Sequence, residues 1–134
     1  MKIVLGIAFV VHGMIHLLYA AHSARLFELQ PGMSWPDGSW AFSSLLGNET
    51  TRNLASGAFI LAAAGFVAAG IALFATQPWW RPVALGSAAF STLMLLLLWN
   101  GKLHALTDQG LIAVFINIAI LVALLVFQWP RLGF

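Results

Sequence analysis

The sequence predicts an all-α integral membrane protein, folded as a four-helix transmembrane bundle with a long outer loop after the first helix. Hydrophobic residues make up 61% of the chain and charged residues 7%, whereas an ordinary soluble domain has about 25% charged residues. The 134 residues leave room for about four spans of about 20 residues each and for no separate soluble domain. We therefore expect one domain over residues 1–134.

Four apolar segments define the predicted spans. They run from about Ile3 to Ala21, from about Leu54 to Thr76, from about Val83 to Trp99 and from about Leu111 to Phe127. Helices are expected because hydrocarbon satisfies no backbone polar group and the segments lack the alternation of barrel strands. The predicted outer loop, residues 22–53, is long enough to be either a lid over a site or an anchor on the membrane surface.

The distribution of charge predicts the orientation. One side of the membrane receives three basic residues and no acidic residue: Lys2, Arg81 and Arg131. The other side receives three basic residues together with all four acids: Arg25, Arg52, Lys102, Glu28, Asp37, Glu49 and Asp108. By the positive-inside rule both termini are cytoplasmic. Tryptophans fit the same frame, with Trp80 and Trp129 at the inner interface and Trp35 at the outer one. The expected location is a bacterial inner membrane.

Two histidines in the first span are the leading candidates for a functional site. His12 and His16 lie one helical turn apart and share a face with Tyr19. Ionisable residues are costly inside a membrane and are a functional hypothesis by default. The pair can act in catalysis or bind one metal ion, and Tyr19 is a candidate cofactor contact. The structural alternative is a pair of hydrogen bonds that hold helices together.

Several kinds of chemistry are excluded by missing residues. The chain has no cysteine, which removes thiol redox reactions, iron–sulfur ligation and covalent haem attachment. Gly13 stands where helical zinc proteases carry a glutamate beside the first histidine, so peptidase chemistry has no support. The remaining cofactor candidates are a metal ion and a quinone.

The outer half of the bundle contains further candidates. His104 is a possible third metal ligand, and Asp108 can orient it if the third helix continues past Gly101. Glu28 in the outer loop can fold over the site as a ligand or proton acceptor. The alternative for these residues is ordinary loop polarity. Asn117, near the middle of the fourth span, is expected to reach His12 and help to bind a quinone headgroup or lipid-like substrate.

Other polar and small residues have a structural explanation. Ser87 and Ser91 in the third span are isolated polar groups that packing accounts for. The second span has a face of small residues, which lets helices pack closely and would permit a homo-oligomer.

The chain resembles the DoxX-like group of small four-helix bacterial membrane proteins. The resemblance consists of the His12-Gly13 pair in the first of four short spans, the outer loop, the Gly- and Ala-rich second span and the chain length. The resemblance implies quinone-coupled oxidation, for example of thiosulfate. Members of the group often carry a lysine four residues after that histidine, where this chain has His16.

Two classes of function remain open at this stage. The first is a membrane oxidoreductase in which His12 and His16, with or without His104, bind a metal ion or a quinone and a carboxylate, Glu28 or Asp108, moves protons. A variant of this class is an acid–base enzyme acting on a lipophilic substrate, with a neutral histidine as base and a carboxyl group as acid. The second is a non-catalytic transport component or a stabilising subunit of a larger membrane complex. The expected partners are the lipid bilayer and a quinone or another lipophilic small molecule, and no nucleic acid.

Overall fold

The computed structural model describes residues 1–134 and is all-α, without a β-strand. Four helices follow one another in the chain: α1 Lys2–Ser23, α2 Ser43–Phe74, α3 Trp80–Leu98 and α4 Leu111–Leu121. A π-helical turn, Val122–Val126, extends α4, and a 3₁₀ turn, Leu103–Ala105, lies between α3 and α4. Each helix packs against the next one in the sequence.

Three of the helices are long and apolar enough to cross a membrane. These are α1, α2 and α3, with 22, 32 and 19 residues. The α-helical part of α4 has 11 residues and its π turn five, which is shorter than the roughly 20 residues of a typical span. Large apolar side chains point away from the bundle, for example Val4, Leu61 and Phe115. Apolar surface on this scale is unfavourable in water, and the three long helices suggest an integral membrane protein.

The second helix begins well before the predicted span. It starts at Ser43, although Gly47 interrupts the first turn with φ 77° and ψ 163°. The connection outside helices is therefore residues 24–42, shorter than the predicted 22–53. Hydropathy detects the residue at which a helix becomes apolar and not the residue at which it begins. The polar first turns of α2 were therefore not predicted as helix.

Glycines allow α1 and α2 to approach closely. A Cβ atom on Gly13 would lie 3.0 Å from the carbonyl oxygen of Ala63, and one on Gly70 would lie 2.7 Å from that of Gly6. Real Cβ atoms essentially never come within 3.0 Å of another heavy atom. The α1–α2 contact therefore depends on glycine, most strictly at position 70.

The connection between α1 and α2 caps the end of α3. The side chains of Trp35, Ser39 and Trp40 donate hydrogen bonds to the carbonyl oxygens of three successive residues, at 3.1, 2.7 and 2.7 Å: Leu98, Leu97 and Leu96. Helix C-termini leave such carbonyls without an intrahelical partner. The capping segment, residues 35–40, is therefore part of the bundle.

Ion pairs and backbone contacts hold the capping segment in place. Arg25 donates to the carbonyl oxygens of Trp35 and Ser34 at 2.9 and 2.7 Å. The Asp37 carboxylate lies 3.1 Å from both Arg25 and Arg52. Trp35 is only 2% exposed and Trp80 only 3%, so both belong to the core and not to the interfacial belts that the sequence suggested.

Replacing Gly70 by alanine should separate α1 from α2. The added methyl group meets the backbone of Gly6, and overpacking of this kind costs about 1–3 kcal/mol. We expect a lower unfolding temperature in detergent micelles. The matched control is Gly57→Ala, because nothing lies within 4 Å of a Cβ there; it should be neutral or stabilising. Equal effects of the two substitutions would contradict the close helix contact.

Candidate functional site

Four side chains from three helices form a buried polar network. His12 Nε2 of α1 lies 2.7 Å from Asn117 Oδ1 of α4. The amide nitrogen of Asn117 donates to Ser91 Oγ of α3 at 2.9 Å, and Ser91 Oγ in turn contacts His16 Nε2. His16 Nδ1 lies 2.9 Å from the backbone oxygen of His12 and closes the circuit. His12 is 4% exposed and the other three side chains are fully buried.

Aromatic rings pack around the network. The Phe66 ring of α2 makes an edge contact with His12 at a centroid distance of 4.6 Å, and it lies tilted against His16 at 5.3 Å. Gly13 brings α2 close enough for this contact, since a Cβ there would lie 3.2 Å from Phe66 Cβ. A second aromatic layer, formed by Tyr19, Phe59 and Trp35, covers His16 on the side of the outer connection.

An apolar cavity of about 340 Å³ lies between α1 and α4 and reaches the network. His12 is the one ionisable residue in its wall. The other lining residues are apolar or aromatic: Leu5, Ala8, Phe9, Trp80, Ile116, Ala119, Ile120, Ala123, Leu124, Trp129 and Pro130. The cavity follows the N-terminal half of α1, away from the outer connection. The sequence had suggested a site beneath that connection.

One polar atom at this site has no partner. Nδ1 of His12 is buried from solvent, and no protein atom hydrogen-bonds to it. A buried polar group without a hydrogen bond costs about 1–3 kcal/mol. His12 is thus both the one ionisable residue that lines the cavity and a residue with an unpaired buried nitrogen.

The predicted loop candidates lie elsewhere. Glu28 is exposed and accepts a hydrogen bond from the amide of Gly32 at 3.1 Å. Asp108 accepts one from Gln30 at 2.9 Å. The helix does not continue past Gly101, because α3 ends at Leu98 and Gly101 has φ 80°. His104 is exposed in the 3₁₀ turn. His104 and Asp108 therefore do not share the helical face on which the carboxylate was expected to orient the imidazole.

His104 and Asp108 instead line a separate polar pocket of about 300 Å³ between the α1–α2 and α3–α4 connections. No group of three or more His, Asp or Glu side chains is placed to hold a metal ion. Both nitrogens of His16 are already engaged, so the helical pair offers a ligand only one free nitrogen, on His12. The structure therefore does not bring His12, His16 and His104 together as one group of ligands.

The remaining candidates differ in position. Asn117 reaches His12, as its depth in the membrane suggested, but it does not line the cavity. Tyr19 packs against His16 at a centroid distance of 5.9 Å and lies outside the cavity wall as well. Ser91 is the member of the network that the sequence analysis assigned to packing and not to the site. Its only signal was a hydroxyl group near the middle of an apolar helix.

No protein-family model, curated protein or solved structure matches this chain. The geometry of the network and the cavity is therefore the basis for inferring a function.

Replacing Ser91 by alanine should destabilise the fold more than the same change at Ser87, one turn earlier. Loss of the Ser91 hydroxyl leaves Asn117 and His16 without their shared partner, and we expect a cost of about 1–2 kcal/mol. The Ser87 hydroxyl bonds only to the Val83 carbonyl of its own helix, at 2.8 Å, and such a bond contributes little. Unfolding by denaturant in micelles would measure both, and equal stabilities would argue against an interhelical role.

Proposed function

We propose that this chain is a small four-span protein of a bacterial inner membrane that binds a lipophilic molecule with a polar end, of the quinone type, in the α1–α4 cavity. His12 supplies the polar contact, and the apolar wall holds the hydrophobic part of the ligand. In this proposal both termini are cytoplasmic, so the cavity opens toward the cytoplasmic half of the bilayer.

The observation that carries the proposal concerns His12, the one ionisable residue in the wall of an otherwise apolar cavity, whose buried Nδ1 has no hydrogen-bond partner. Ligand sites for small molecules are largely apolar with a few polar groups, and range from about 300 to 1,000 Å³. The cavity of about 340 Å³ lies at the small end of that range, which suits a single ring or a headgroup with the start of its chain. An ionisable residue at this depth is retained against its cost when it has a function.

The proposed chemistry is proton exchange with the bound molecule. A buried imidazole nitrogen next to a ligand can accept a proton as a general base. The remaining ring nitrogen of His12, held by Asn117 at 2.7 Å, keeps the imidazole oriented. The resemblance to the DoxX-like group supports a quinone-linked oxidoreductase, and acid–base chemistry on another lipophilic substrate would use the same contact.

The second candidate is a non-catalytic subunit that stabilises a larger membrane complex. The closed polar network supports it, because the network links α1, α3 and α4 without any ligand. In that case the cavity would be filled by a lipid chain, and the outward apolar faces would contact partner proteins.

Filling the cavity should abolish binding of a quinone-type molecule. Ala123 lines the cavity, and Ala123→Phe places an aromatic ring inside it. We expect the purified protein in nanodiscs to bind decylubiquinone or its quinol, measured by calorimetry, and Ala123→Phe to weaken that binding at least about tenfold, a loss of about 1.4 kcal/mol.

The matched control is Ala64→Phe, an exposed position on α2 outside the cavity wall. It should bind like the wild type. Absence of binding to the wild type, or equal binding by both variants, would overturn the proposal and favour the stabilising subunit.

A further inference from the structure

The donor and the acceptor of each hydrogen bond in the polar network can be assigned, beginning with His16. Its Nδ1 lies 2.9 Å from the backbone carbonyl oxygen of His12. A carbonyl oxygen only accepts, so His16 Nδ1 carries a hydrogen. All four carboxylates of the chain lie in the connections and the polar start of α2, and none contacts either histidine. An unpaired charge is costly at this depth, so both imidazoles are neutral.

Because His16 is neutral, the donor and the acceptor of the remaining hydrogen bonds in the network are determined. With a hydrogen on Nδ1, its Nε2 must accept, and the hydroxyl of Ser91 is the donor. The Ser91 oxygen is then free to accept the hydrogen bond from the Asn117 amide nitrogen at 2.9 Å. The amide oxygen of Asn117 therefore faces His12.

The circuit ends by fixing the tautomer of His12. Asn117 Oδ1 accepts at 2.7 Å, so His12 Nε2 is the nitrogen that carries the hydrogen. In a neutral imidazole the other nitrogen, Nδ1, then has a lone pair and no hydrogen. This is the buried atom for which the protein supplies no donor.

We infer that the ligand of the cavity is an apolar molecule that ends in a hydroxyl group, such as a phenol, a quinol or a long-chain alcohol. This inference rests on the proposed binding function. Nδ1 is buried from solvent in the ligand-free protein, so binding shifts the side chains around His12 far enough for a ligand hydroxyl to donate to its lone pair. A carbonyl or ether oxygen offers only another lone pair. Sites built to bond a ligand hydroxyl reject the analogue that lacks it, because their own polar group is left unpaired. The cavity thus selects the hydroxyl form of its ligand against the ketone or ether form.

Isomeric probes can test the selection without changing the size of the ligand. The test compares 4-nonylphenol that carries one ring methyl group with the methyl ether of 4-nonylphenol. The ether has the same molecular formula but no hydrogen-bond donor. The wild-type protein in nanodiscs should bind the phenol about tenfold more tightly than the ether, the factor expected for one buried hydrogen bond. Equal affinities would overturn the inference and leave the proposed function standing. Failure of both probes, and of decylubiquinone and its quinol, to bind would overturn both.

Asn117→Leu tests whether the network causes the selection. Without the amide oxygen, His12 is free to place its hydrogen on either nitrogen and to donate to the ether. The ratio of the two affinities should fall to within about twofold, since the lost preference is that of one hydrogen bond. A ratio that stays at the wild-type value in a folded variant would contradict the assignment of direction.

Nitrogen NMR of the wild type provides a readout that needs no variant to fold. In protein labelled with ¹⁵N-histidine, the spectrum should contain an unprotonated Nδ1 resonance of His12 that moves when the phenol is added and stays in place with the ether. Assignment uses His12→Gln. A protonated Nδ1 in the ligand-free protein would overturn the inference.

Discussion

The structure depends on one constraint: a polar group inside an apolar helical bundle finds a partner only within the protein or in a ligand. Water is absent from the hydrocarbon region, so each unpaired group costs free energy that no solvent recovers. The side chains of His16, Ser91 and Asn117 satisfy this condition through one another. The same condition makes Nδ1 of His12 informative, because this nitrogen lies outside the circuit and is buried without a partner.

The ends of the bundle obey the same constraint in a different way. At the C-terminal end of α3, the carbonyls of the last turn receive hydrogen bonds from Trp35, Ser39 and Trp40. At the other end, Arg81 donates to the carbonyl oxygen of Leu124 at 2.6 Å, within the π turn that extends α4. Leu124 lies two residues before the end of this turn at Val126, where carbonyl oxygens have no partner within the helix. Side chains from neighbouring elements therefore complete the helices that they pack against.

Much of the fold follows from the sequence, because hydropathy detects long apolar helices directly. Segments near α1 and α3 were placed to within a few residues, and the depth of Asn117 suggested its contact with His12. The polar start of α2 was missed because hydropathy does not register a helix that continues outside the apolar region. Glu28, His104 and Asp108 were grouped with the histidine pair because charge and topology place them on one side, but irregular connections carry no periodicity that fixes their geometry.

The site itself was only half predictable. Two histidines at helical spacing indicate a shared face, yet nothing in that spacing shows which partners the nitrogens choose. Ser91 became part of the site only through its position opposite His16. The cavity is harder still to predict, since it arises where α1 and α4 do not pack tightly, and sequence patterns describe what a helix buries rather than gaps between distant helices.

The two walls of the cavity come from helices that are far apart in the chain, and His12 and Asn117 are separated by 105 positions. During synthesis, α1, α2 and α3 can therefore associate before α4, the second wall of the cavity, has been made. Until α4 inserts, the amide of Asn117 is absent and His12 is not held in one tautomer. In the proposed function, selectivity between ligands therefore arises only once α4 has joined the other helices, and a chain interrupted before α4 would contain His12 without the amide that fixes its tautomer.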